Sequence, residues 1–155
     1  MDMVLRLRRM WLHGATADKE NFDGEDLRGL FAPSVSFREA RFYDVDLSGG
    51  DFSEAQFYHA RLHHSIIREV EARASNFTGS RLDHCDFSKA ILTGATFFRS
   101  EITACNFRGA DLQGCDFREA RVRGGDFRGA NLRGSIGLTA EQIAQAIIDD
   151  ATTLP

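Results

Sequence analysis

The sequence predicts an all-β solenoid, a square tube wound from five-residue sides and closed by short α-helices at its ends. Three observations predict it. From Phe22 to Leu132, every position whose number ends in 2 or 7 is apolar, beginning Phe22, Leu27, Ala32, Phe37, Phe42, Leu47. From Ala40 to Ser135, every position two residues earlier is Ala, Val, Gly, Ser or Cys. No insertion or deletion breaks the register between residues 22 and 132.

A five-residue period fits neither the 3.6-residue turn of a helix nor the two-residue pleat of a strand. It fits one side of a square. The large residue fills the centre of the tube, and the small one sits where no bulk is available. Four sides make a coil of twenty residues, and coils stack at the strand spacing of about 4.8 Å. Two departures support that count. Leu30 and Ala32, and again Val70 and Ala72, exchange the large and small positions, while Gly50 and Phe52 lie between them. All fall on one side of the tube, so Phe52 stacks between two alanines and the column keeps its volume.

The units "GADLQ", "KAILT", "GANLR" and "EARFY" resemble the motif A(D/N)LXX of the pentapeptide-repeat family. The resemblance covers about residues 20–136 and implies a right-handed quadrilateral β-helix of about six coils. Residues 1–19 are then an N-terminal cap, with a helix over 3–13 suggested by Met3, Leu7, Met10 and Trp11 on one face. Residues 137–155 form the C-terminal cap and tail. There Thr139 and Gln142 read as a capping box, and Ile143, Ala146 and Ile147 as the apolar stripe of a helix over 139–149.

The composition is foldable, with 43% apolar and 27% charged residues and 13 Phe against 2 Tyr and 1 Trp. A net charge of −4 argues against direct nucleic-acid binding and is far from the load of a convincing DNA mimic. Three cysteines make no disulfide framework; all occupy small inward positions, where thiols act as filler. Arginines at 6, 8 and 9 interrupt the N-terminal apolar stretch, so neither a signal peptide nor a membrane span is expected, and the protein is assigned to the cytoplasm.

Twenty-residue stacking sorts the outward residues into columns. Arg38, Tyr58, Thr78, Phe98 and Arg118 present two aromatics flanked by arginine, and Ile66 and Ile91 stand where Asp or Asn is usual. Such residues suit a protein–protein contact. Arg41, Arg61 and Arg81, resumed at Arg121, form a stack whose mutual repulsion an anion would relieve. His63, His64 and His84 meet Asp44, Asp83 and Tyr43 at one corner, the donor set for a metal if any is bound, although no cofactor is expected. Asp26, Asp46, Asp86 and Asp126 form an acidic column. The family resemblance implies a DNA-mimic possibility here, because quinolone-resistance members imitate duplex DNA and bind DNA gyrase. Arg28, Arg68, Arg108 and Arg128 flank that column and neutralise it.

No nucleophile–base set or phosphate loop appears, and Phe and Leu fill the interior. The expected function is therefore a non-enzymatic scaffold, monomeric or dimeric, whose flat sides engage an unidentified protein partner. Gyrase binding, and ion binding at the His/Asp/Arg surface, are the alternatives.

Overall fold

The computed structural model describes residues 15–155. The helix expected over 3–13 lies outside the described residues. One side of the tube carries β1 (Arg41–Tyr43), β2 (Arg61–His63), β3 (Arg81–Asp83), β4 (Glu101–Thr103) and β5 (Arg121–Arg123). They form a five-stranded parallel sheet in chain order. Phe42 pairs with Leu62, Leu62 with Leu82, Leu82 with Ile102 and Ile102 with Val122, so each coil is twenty residues.

The other three sides keep this register as single bridges, among them Asp46 with Ile66, Asp51 with Glu71 and Gln56 with Asn76. The five strands span four turns, slightly fewer than the about six coils the sequence predicts. Beyond them the register continues only as bridges, from Thr16 with Ser36 to Asp116 with Ile136. Corner geometry accounts for the difference. On the bridge-only sides a tight turn such as Ala60 N–H to Phe57 O, 3.0 Å, takes two residues out of extended conformation. From β1 onward the corner after each strand lacks that bond, and three residues stay in the ladder.

Every corner needs one residue in the left-handed region. From Lys19 to Gly134, each position ending in 4 or 9 has φ between 50° and 73°. Non-glycine residues such as His59, Ala74 and Ala104 adopt it too, at about 1 kcal/mol or more apiece. Ladder bonds and core burial on both sides of each corner outweigh that local preference.

The core is a pair of phenylalanine columns. Phe37, Phe57, Phe77, Phe97 and Phe117 stack with centroid separations of 5.1, 4.8, 5.1 and 5.0 Å. Phe87, Phe107 and Phe127 stack at 5.1 Å each, and Phe77 meets Phe87 edge to face at 6.0 Å. These separations follow the coil rise, because each ring is carried one turn along the tube. The exchanged volumes pack as expected. Leu30, Ala32, Phe52, Val70 and Ala72 are all buried. A Cβ on Gly50 would lie 2.5 Å from Phe52 Cε2, so the ring occupies the space that glycine leaves.

The three cysteines are free and buried. Cys105 Sγ donates to Leu82 O at 3.4 Å and Cys115 Sγ to Leu92 O at 3.1 Å. Burial pushes the Cys115 thiol up to about 12, so it stays a protonated, unreactive filler.

The C-terminal cap differs from its expectation. The helix, α1, runs only from Ala140 to Gln145, shorter than the predicted 139–149, although the Thr139–Gln142 capping box is present. Ala146 is extended, and the chain returns to the tube as a partial further coil. Phe127 N–H donates to Ile147 O and Leu132 N–H to Thr153 O, each at 2.8 Å. Another helical turn would leave those edge groups of the last coil unpaired. Ile147 therefore points outward, half exposed, and does not join the apolar stripe expected of it. Gln142 Nε2 donates to Ala120 O at 2.9 Å, fixing the helix over the end of the tube.

Candidate functional site

Four outward arrangements were candidates, and the square section decides which residues meet. The aspartates before the central residue serve the turns first. Asp46 Oδ1 accepts from Ser48 N–H at 2.9 Å and Asp86 Oδ1 from Ser88 N–H at 3.0 Å. Where arginine stands two residues on, it adds a two-toothed pair: Arg128 donates to Asp126 through Nε at 3.0 Å and Nη2 at 2.6 Å. Arg28 does the same to Asp26, and Arg118 to Asp116. The Arg128 guanidinium holds the Asp126 carboxyl below its ordinary range, and Arg118 does so for Asp116. The acidic column is thus interrupted at Ile66 and Asn106 and paired at both ends.

That pairing makes a pH prediction. A carboxyl depressed in the folded state contributes stability above its unfolded value, near 3.9, and the contribution is lost as pH falls through the folded value. Asp126→Asn keeps the turn acceptor and removes the charge. The variant is expected to melt below the wild type at pH 7, with the gap narrowing as pH falls below the ordinary carboxylate value near 3.9. A gap unchanged between pH 7 and 2.5 would show that the charge contributes nothing.

The histidine corner is assembled from β2, β3 and the turns after them. Tyr43 and His63 lie 5.5 Å apart, His63 and His64 4.2 Å, and His64 and His84 5.0 Å between ring centroids. Asp83 bridges the group, with His63 Nε2 at 2.9 Å from Oδ2 and His84 Nδ1 at 2.8 Å from Oδ1. Both carboxylate oxygens are thereby engaged by imidazoles. Asp44 sits at the corner one coil before His64, with φ of 57°. Among the described residues, no group of three or more His, Cys, Asp or Glu side chains is placed to hold a metal ion.

The aromatic column is half-buried rather than projecting. Arg38 covers the Tyr58 ring at 5.3 Å, and Arg99 and Arg118 flank Phe98 at 4.8 and 5.9 Å. The stacking rule missed Arg99, because it approaches Phe98 from the neighbouring corner column. Ile66 and Ile91 do not join this group: their bridges, to Asp46 and Asp86 and to Glu71 and Asp111, place them on two other sides of the square.

A shallow open groove of about 780 Å³ runs beside the start of β1, β2 and β3. Arg41, Arg61 and Arg81 share its wall in ladder register. Arg41 is taken up by Asp23 and lies over the Tyr43 ring at 5.1 Å. Arg81 Nε is 3.5 Å from Glu101, which also faces Arg121 at 3.5 Å. Arg61 has no carboxylate within ion-pair distance among the described residues. No described helix is long and apolar enough to cross a membrane.

Among solved structures, the chain is similar to HetL, a pentapeptide repeat protein involved in heterocyst differentiation regulation in the cyanobacterium Nostoc, with 21% identity over 97% of this chain and 78% of that one and a TM-score of 0.33. It is also similar to Rfr23 of the cyanobacterium Cyanothece, at 20% identity over 99% and 100% of the two chains and a TM-score of 0.27. Full-length QnrB1, a plasmid-mediated fluoroquinolone resistance protein, matches at 17% identity over 91% and 94%, with a TM-score of 0.33. No curated protein matches the sequence. The family model for pentapeptide repeats matches eight copies over residues 36–71, 68–109 and 97–134. With most of its length in that match and a ladder that repeats every twenty residues, the chain belongs to the pentapeptide repeat family.

Proposed function

We propose that this protein is a non-enzymatic binding scaffold whose side bearing Arg38, Tyr58, Phe98 and Arg118 engages a protein partner. The observation that supports this most is the pair of rings at positions 58 and 98, held outward on one rigid side and covered by three guanidinium groups. Tyr, Phe and Arg are the residues enriched at protein contacts. The ladder fixes their spacing, so little conformational entropy remains to be lost on binding. Among the described residues, Phe and Leu fill the interior of the tube.

A photo-crosslinking residue at Thr78, between the two rings, tests the reading. One protein captured at 78, absent when the crosslinker stands at Gln113, and lost on Tyr58→Ser with Phe98→Ser, is the expected result. Equal capture at both positions would sink it. The gyrase-binding reading requires a continuous anionic side, and the Arg28 and Arg128 pairs work against one. A gyrase supercoiling reaction is accordingly expected to run unchanged with the protein added, and inhibition would transfer the assignment to DNA mimicry.

A further inference from the structure

We propose that the groove beside β1, β2 and β3 is a binding site for a small phosphate-bearing anion, centred on Arg61. It lies around the corner from the aromatic side and does not depend on the scaffold reading. Five of the residues lining it are basic and three acidic, on a chain whose formal net charge is −4. The local excess of positive charge is therefore not a reflection of the whole molecule.

The ladder sets the geometry. Arg61 lies directly between Arg41 and Arg81, one strand spacing from each, about 4.8 Å. Three arginines carried on adjacent strands concentrate positive charge on this part of the side, and such charges repel unless negative charge is supplied. For its neighbours the protein supplies it, from Asp23 on Arg41 and Glu101 on Arg81. For Arg61 the described residues supply none. The middle cation of the stack is thus the one left to an external anion, with an arginine on the strand at either side of it.

His59 and Gly79 line the same groove. Gly79 faces the groove, and a Cβ there would lie 2.4 Å from the His59 ring. The imidazole fills that space instead, with His59 Nδ1–H donating to the Gly79 carbonyl at 3.1 Å.

Planar guanidinium forks on adjacent strands match a tetrahedral oxyanion, whose oxygens they can grip in pairs. A monocarboxylate offers one planar edge and fits a single fork. Phosphate is therefore preferred to acetate. The phosphate can come free or as an ester on a small molecule, and the two share the group that the arginines hold.

The test is a titration of the full chain at constant, low ionic strength, where exposed charge is least screened, following the arginine Nε–H signals by NMR. Inorganic phosphate, a simple sugar phosphate and acetate are the three probes. Saturable binding of phosphate is expected, at least tenfold weaker in Arg61→Gln and unchanged in Arg123→Gln, an exposed arginine on β5 without a carboxylate partner. Glu101→Gln releases Arg81 and is expected to tighten binding severalfold, a gain that general loss of structure cannot imitate. Tighter binding of the sugar phosphate than of phosphate would assign the site to an ester, and the reverse to the free ion. Shifts that stay linear, match those with acetate, or fall equally in Arg61→Gln and Arg123→Gln would overturn the proposal.

Discussion

Replacing Phe77 with alanine is expected to lower stability by about 3–5 kcal/mol, the cost of removing a large buried aromatic side chain and leaving a cavity. Phe77 is nearly inaccessible, and its ring lies 4.8 Å from Phe57 and 5.1 Å from Phe97. Its removal breaks the longer phenylalanine column at its middle. The coils above and below are held apart by their backbone bonds and cannot close the gap. Because each coil touches only its neighbours, loss of amide protection should concentrate near residues 57–97 before it spreads. Phe98→Ala, next to Phe97 in the chain, is the control: that ring lies half exposed on the outside, and less than about 1 kcal/mol should be lost. Urea unfolding measures both. Equal losses at 77 and 98 would contradict the inward and outward assignment on which the fold rests.

The second large effect lies in the exchanged pair at 50 and 52. Gly50→Val places a side chain where the Phe52 ring already is, since a Cβ would sit 2.5 Å from Cε2. Overpacking of this kind costs about 1–3 kcal/mol. Phe52→Ala alone opens a cavity and costs about 3–5 kcal/mol. The double variant reproduces the Val70–Ala72 arrangement that the next coil already uses. It is expected to be more stable than the sum of the single effects by about 0.5–3 kcal/mol, the range of coupling between residues in contact. A cycle that closes additively would show that the two positions do not share one space.

The fold was legible because core position and sequence position are locked together at a constant interval. One apolar residue in five, with a small residue two before it, determines which side chains point in, and the twenty-residue coil follows. The exchanges at 30–32 and 70–72 were readable for the same reason: a packed column conserves volume whichever residue supplies it. The free, buried cysteines also follow from their place at the small position. The helix at the end was legible only at its start. Thr139 and Gln142 announce the N-cap, but its end was set by the unpaired edge of the last coil, which captured Ile147 and Thr153.

The outward residues divide differently. Columns followed from arithmetic: Arg41, Arg61 and Arg81 lie on successive strands, and the rings at 58 and 98 share one side two coils apart. The sequence alone also determined that aspartates precede the central residue and that arginines flank them. Only the tertiary structure decided how those charges are spent. Side chains reach across corners and along the tube, and a column count carries no information about direction. Arg118 turns to Asp116 and to the Phe98 ring, Arg99 turns to the same ring and to Glu119, and Arg61 turns to no carboxylate among the described residues. Ile66 and Ile91, grouped with the rings by chemistry, are parted from them because they lie on other sides of the square, Ile66 on the opposite side and Ile91 on an adjoining one. The interior of this protein was written as a period; its surface is decided by side-chain reach, which no period records.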